Sequence, residues 1–319
     1  MRTHSARLLG FVSIAVASNL AGCYGADFDA ALEGVYTCEI IDAADPDADC
    51  PSAMLCDGSR CVSALPSVEV RSPEAREAFD DAGDVVIRVV GSGLDLGADE
   101  GEPNAGYIEV TLDDQTVEVR SGPISDGIVI SEFTVADTPG GHRISARALR
   151  PDGTPYGNPG ASDTRLFWID DGLPHVAITQ PWPGSEIDLG TPLVDFEAAV
   201  LNFDISVSDT DPARGQGHVH LYYDDLFPAC AQDPVCDSGY IAVVAASPGE
   251  GTLRIADTAA TVPESPETTA TITAVLRQND HEPFCILDNP EDPDLATCPE
   301  DGDPVLVTDT ITINRVAQE

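Results

Sequence analysis

Residues 105–114 read AGYIEVTLDD, and residues 216–225 read QGHVHLYYDD. Apolar side chains alternate with others in both: Ile108, Val110 and Leu112 in the first, Val219, Leu221 and Tyr223 in the second. A period of two sends one set into a core and the other to the opposite face, the signature of a half-buried strand. An acidic pair closes each stretch, Asp113-Asp114 and Asp224-Asp225. A turn at the strand end explains that recurrence better than acid–base chemistry does.

Two further matches frame this pair. LPSVEVRSP at 65–73 returns as LPHVAITQP at 173–181, and ISARALRPDGTPYG at 144–157 returns without a gap as ITAVLRQNDHEPFC at 272–285. Three matches in one order mean one fold used twice, with longer loops in the second copy. Leu201, Phe203, Ile205 and Val207 alternate in the same way. No ten-residue stretch beyond the leader carries a helical period, and 27 Gly and 25 Pro interrupt the chain throughout. About seven short strands in roughly 100 residues read as an antiparallel β-sandwich. The copies resemble bacterial immunoglobulin-like domains, on the V-x-I-x-x-P opening strand and the closing strands TRLFWID and DTITINR. The resemblance spans nearly all of 66–316 and implies a fold, not an activity; the antibody-type inter-sheet cysteine pair is missing.

The expected fold class is therefore all-β: two tandem immunoglobulin-like β-sandwiches, over 66–171 and 172–319, preceded by a small disulfide-rich segment. The join at WIDDGLPHV is short, and each copy has its own opening, central and closing strands. Each is expected to fold alone.

The N-terminus carries Arg2 and Arg7, an apolar run from Leu8 to Ala17, then small residues. That pattern is a secretory signal, too short for a membrane-spanning helix. Leu20-Ala21-Gly22-Cys23 resembles a bacterial lipobox, which implies removal of residues 1–22 and acylation of Cys23 as the first residue of the mature chain. The bilayer is then a partner, and two or three acyl chains anchor stably. Tyr24 follows in place of the Asp that retains enteric lipoproteins at the inner membrane, which favours the outer membrane. The expected location is the cell envelope.

Lysine is absent: all 15 basic residues are Arg, against 56 acidic ones, for a net charge of −41. Such a surface argues against nucleic acid and anionic headgroups, and leaves cations and basic partners open. Only Trp168 and Trp182 supply indoles, which argues against a broad stacking platform for sugars.

Apart from Cys23, eight cysteines remain, an even number in an oxidising compartment. Cys38, Cys50, Cys56 and Cys61, in a segment too poor in apolar residues for a core, form a disulfide-stapled knob of open pairing across 23–65. Their spacing lacks the paired C-x2-C usual for structural zinc. The knob resembles the short cysteine-rich modules that follow the lipobox in exported proteins of myxobacteria. In the distal copy, the strand order that the immunoglobulin-like resemblance implies puts the loop of Cys230 and Cys236 at one end and that of Cys285 and Cys298 at the other. A cross-bridge would exceed the Cα limit of about 7 Å, so the expected pairs are Cys230–Cys236 and Cys285–Cys298.

For chemistry, GHVHLYYDD is the most suggestive stretch. His218 and His220 share the face opposite Val219 and Leu221, about 6.5–7 Å apart along a strand, and are expected to point outward into solvent. With His281 from a following loop they form a candidate copper or zinc site. The neighbouring strand offers Thr271, Thr273, Val275 and Arg277 on that face, none a good ligand. Asp209 and Asp211, with Asp292, Asp294, Asp301 and Asp303, form candidate calcium loops, although no EF-hand pattern appears. No G-x-S-x-G, H-E-x-x-H or phosphate-cradling Gly loop occurs. The expectation is a non-enzymatic envelope lipoprotein that binds or displays something, a protein or polysaccharide at the cell surface, with copper or zinc handling as the alternative.

Overall fold

The computed structural model describes residues 50, 55–56, 61–62, 65–97, 104–122, 127–190, 192–205, 216–224, 240–244, 253–278, 284 and 306–317. Two short strands open it, β1 (Leu55–Cys56) and β2 (Cys61–Val62), paired antiparallel with Cys56 opposite Cys61. Cys50 and Cys61 form a disulfide with Cα atoms 5.6 Å apart, and Cys56 is also disulfide-bonded. In a segment this poor in apolar side chains, covalent links take the place of a core.

The first sandwich runs through β3 (Ser67–Ser72), β4 (Ala78–Phe79), β5 (Ile87–Ser92), β6 (Asp95–Leu96), β7 (Ala105–Leu112), β8 (Gln115–Val119), β9 (Ile128–Ile130), β10 (Gly140–Leu149) and β11 (Ser162–Ile169). One sheet has the order β3-β5-β9; the other is β4-β11-β10-β7-β6, with β8 also on β7. The second sandwich runs through β12 (His175–Gln180), β13 (Glu186–Asp188), β14 (Leu193–Leu201), β15 (Asp204–Ile205), β16 (Gln216–Tyr223), β17 (Tyr240–Val244), β18 (Leu253–Thr261), β19 (Thr269–Gln278) and β20 (Thr308–Val316). Its sheets, β12-β14-β18 and β13-β20-β19-β16-β15 with β17 on β16, repeat the first pair strand for strand. The chain is thus two tandem immunoglobulin-like sandwiches behind a disulfide-bonded segment.

The repetition extends to single residues. Ile144 lies opposite Leu112 as Ile272 lies opposite Tyr223, and Ala146 opposite Val110 as Ala274 opposite Leu221. These inward residues are buried in the two cores, with Val89 and Phe167 in one and Phe196 and Ile311 in the other. In both copies the opening strand breaks register before a cis-proline, Pro73 or Pro181, and the chain then crosses to the opposite sheet as β4 or β13.

The acidic strand ends are turns. Asp113 and Asp224 both adopt φ of +49°, which Asp tolerates better than most residues. The Asp113 N–H donates to the Arg143 carbonyl at 2.9 Å, and its Oδ1 accepts the Arg143 N–H at 3.0 Å. Asp224 makes the same two bonds to Thr271, at 2.9 and 2.8 Å.

The sandwiches meet along a seam. Leu166 and Trp168 of β11 pack on Ala177, Ala199 and Leu201, the outward residues of β12 and β14. The Arg143 guanidinium grips the Asp309 carboxylate with both terminal nitrogens and donates to the Ile178 carbonyl at 3.0 Å. Asp309 also accepts the Ile178 N–H at 2.7 Å. Arg76 bonds Glu197 at 2.6 Å across the same seam.

Gly106 and Gly217 occupy equivalent positions where the central strand passes against the next one. A Cβ there would lie 2.1 Å from the Leu149 carbonyl oxygen and 1.8 Å from that of Arg277. Both obstacles are backbone and cannot rotate away. Gly217→Ala is therefore expected to destabilise the protein by about 3 kcal/mol or more, read as a lower urea midpoint. An unchanged midpoint would mean that the strands do not approach this closely.

Candidate functional site

β16 and β19 bring together the polar side chains of one face. His218 lies opposite Arg277, His220 opposite Val275 and Tyr222 opposite Thr273. The histidines do share a face, but it is not solvated: His218 is 5% exposed, and His220, Tyr222 and Arg277 are each 0% exposed. This corrects the expectation of outward, solvated imidazoles. Alternation fixes which side a residue takes, not what lies over that side. The Tyr240 ring of β17 stands 4.4 Å from that of His220, and Tyr240 and Leu306 pack on Tyr222 and Val275. In the first copy the corresponding residues are Glu109, half-buried, and Arg147, exposed.

The buried groups form a chain. Nε2 of His218 and Nε2 of His220 are 2.9 Å apart, Nδ1 of His220 is 3.2 Å from the Tyr222 hydroxyl, and Arg277 Nη2 donates to that hydroxyl at 3.2 Å. One Nε2 must carry the proton that the other accepts. If His220 accepts there, its Nδ1–H donates to Tyr222; if His220 donates there, Tyr222 donates to its Nδ1. Arg277 serves either arrangement, since it only donates. Sequence reading named the two histidines and put Arg277 on their face, but missed Tyr222 and read Arg277 only as a poor metal ligand. The signal was present: Arg277 stands where the first copy has Leu149, an Arg for Leu exchange opposite a histidine strand.

The other candidates do not join this cluster. His281, Asp209, Asp211, Asp292, Asp294, Asp301, Asp303, Cys23, Cys38, Cys230, Cys236, Cys285 and Cys298 lie outside the described residues. Among the described residues no group of three or more His, Cys, Asp and Glu side chains is gathered as a metal site would require.

A second feature lies between the sandwiches. A cleft of about 590 Å³ is floored by the outward face of β7, β8 and β10 and walled by the Trp182-Pro183-Gly184 turn and the start of β20. Most of its charges are paired: Arg147 with Glu109 at 2.5 Å, Arg143 with Asp309, and Asp113 with His142 at 2.8 Å; Asp114 adds a further carboxylate. Burial disfavours charge on His142, but the Asp113 hydrogen bond, the Thr138 carbonyl and the Asp113 charge outweigh it and raise its pKa above the ordinary 6.5. Burial also opposes charge on Asp113, yet the bonds from His142 and the Arg143 N–H lower its pKa below 3.8.

Comparison with known proteins identifies no family. No family model matches the chain, and no curated protein matches it. Among solved structures, the fibronectin(III)-like modules of Clostridium thermocellum CbhA are 16% identical with a TM-score of 0.22, covering 78% of this chain and 94% of that one. Three N-terminal domains of the bacteriophage RB49 outer capsid protein Hoc are 13% identical with a TM-score of 0.19, covering 82% and 73%. CBD12 from CALX1.2 is 14% identical with a TM-score of 0.20, covering 77% and 99%. At these scores the superpositions carry no argument about this chain, and the sandwich assignment rests on the strand order and register above.

The His142–Asp113 pair has a signed pH signature. A raised histidine pKa gives stability that is full below pH 6.5 and lost as pH rises through the folded-state value. The lowered Asp113 value gives stability present above 3.8 and lost as pH falls through its folded-state value. His142→Phe is expected to abolish the part of the melting-temperature decline between pH 6 and 8.5 that belongs to this pair. Equal declines in both proteins, measured by circular dichroism, would refute the assignment.

Proposed function

We propose that the chain is a non-enzymatic envelope lipoprotein, tethered through acylated Cys23, that holds two sandwiches as one stiff unit and presents a binding surface. The seam carries this reading. A bidentate Arg143–Asp309 pair about 15% exposed, beside a buried Trp168, resists the hinge motion expected of sandwiches joined by a bare linker. No helix among the described residues is long and apolar enough to cross a membrane. The lipobox-like LAGC at 20–23 supports a lipid anchor, and Tyr24 supports the outer membrane. The disulfide of Cys50 and Cys61 suits an oxidising compartment. The charge of −41 disfavours nucleic acid as a partner.

A single substitution tests the tether. Cys23→Ala is expected to move the protein from the detergent-phase membrane fraction to the soluble one. Unchanged partitioning removes the lipid anchor from the proposal.

The histidine pair favours a second reading, an envelope protein that handles copper or zinc. Two nitrogens bound about 2.0–2.1 Å from one copper(II) ion at right angles lie about 2.9 Å apart, whereas the tetrahedral angle of zinc would set them about 3.3 Å apart. The Nε2 atoms of His218 and His220 stand at 2.9 Å, a separation that also fits the plain hydrogen bond. Copper(II) titration of the purified protein separates the two. Under the second reading copper binds one-to-one and His220→Ala loses it at least tenfold; under the first, no binding is lost with that substitution.

A further inference from the structure

We infer that the cleft between the sandwiches binds a neutral oligosaccharide. The inference rests on reading the chain as a binding module and gives that module a ligand class. In a chain of net charge −41, the cleft comes closer to balance: the three carboxylates of Glu109, Asp113 and Asp114 face the two guanidiniums of Arg143 and Arg147, both already bonded to carboxylates. An anion finds no free cation there. What the cleft offers is a dense set of hydrogen-bonding groups in which acidic side chains outnumber basic ones by only one.

Its floor carries hydroxyls in a row. Thr116 lies directly opposite Thr111, and Thr111 directly opposite Ser145, on three adjacent strands. Adjacent strands are about 4.8 Å apart, so the row offers a ladder of donors and acceptors to a polyhydroxylated chain. The paired Glu109 and Arg147 beside it supply planar acceptors and donors. The wall carries an aromatic ring. Trp182 is half-buried, and its turn is pinned to β20 by Gly184 N–H to the Thr312 carbonyl at 2.7 Å and by Asn314 to the Gly184 carbonyl at 2.8 Å. In the first copy the corresponding position is Glu74. The volume of about 590 Å³ lies within the range of small-ligand pockets. One held ring over a polar floor is not the broad aromatic platform that the scarcity of indoles argues against. It is a clamp in which the apolar face of a sugar ring stacks and its rim hydrogen-bonds.

Tryptophan fluorescence reads this directly, because Trp168 is 0% exposed and leaves Trp182 as the indole open to solvent. The purified full-length protein is titrated with neutral glucan hexasaccharides of α-1,4, β-1,4 and β-1,3 linkage, and with a hexagalacturonate as the charged counterpart. At least one neutral hexasaccharide is expected to shift the emission, protect it from iodide quenching and release heat in calorimetry. Trp182→Ala should weaken binding at least tenfold, Trp182→Phe should keep it within about threefold, and Thr111→Val should weaken it about fivefold at an unchanged melting temperature. Three results overturn the inference: no response to any neutral glucan, preference for the galacturonate, or binding that survives Trp182→Ala. Each leaves the tether tested through Cys23 untouched, so the two readings fail separately.

Discussion

One carboxylate decides how the two halves of this protein stand to each other. Asp309 opens the last strand of the second sandwich, yet it receives both terminal nitrogens of Arg143 from the first and the Ile178 N–H from its own. Little water reaches it, so its charge is answered by fixed donors. Around that contact lie the apolar seam of Trp168 and the Arg76–Glu197 bond. Without these links residues 170–174 would be a short tether between independent bodies. With them, the floor of β7 and β10 and the turn of Trp182 face each other at a fixed distance, and the cleft exists. The contact is not confined to either copy, which is why a repeat analysis treats the halves as separable where the seam couples them.

Much of the fold was legible because the chain states it twice. The alternation in 105–114 and 216–225 gave the central strands, and the ungapped match of 144–157 with 272–285 gave their neighbours. Tyr156 and Phe284 show how literal the repetition is: their N–H groups donate to equivalent carbonyls, that of Ala148 at 3.2 Å and that of Leu276 at 3.4 Å. Asp113 was legible as a turn residue but not as the acceptor for His142, since position 142 corresponds to Ala270 in the second copy. A bond present in one copy alone leaves no trace in the repeat. The site was less legible for a similar reason. Periodicity put His218 and His220 on one face, but exposure depends on residues distant in sequence, Tyr240 and Leu306 among them. Arg143 and Asp309, separated by 166 positions, share no pattern at all.

The two copies put one register to opposite uses. In the first, Glu109, Thr111 and Ser145 are half-buried along the open cleft. In the second, His220, Tyr222 and Thr273 take the same places under cover, where each polar atom must find a protein partner. The chain of Nε2, Nδ1 and hydroxyl answers part of that requirement with side chains that can exchange donor and acceptor roles, and Arg277 Nη2 donates into it.

The seam is narrow at Gly141, where a Cβ would come within 3.0 Å of the Ala177 methyl and 3.1 Å of Leu166. Two of the smallest residues therefore set the elbow between the sandwiches. A single added methyl would act as a wedge, levering the bodies apart about the Asp309 contact as a pivot. Related chains differing only at positions 141 and 177 would then point their distal halves in different directions while keeping both folds intact. Bite width and tilt in such a lineage are adjustable in steps of one carbon atom.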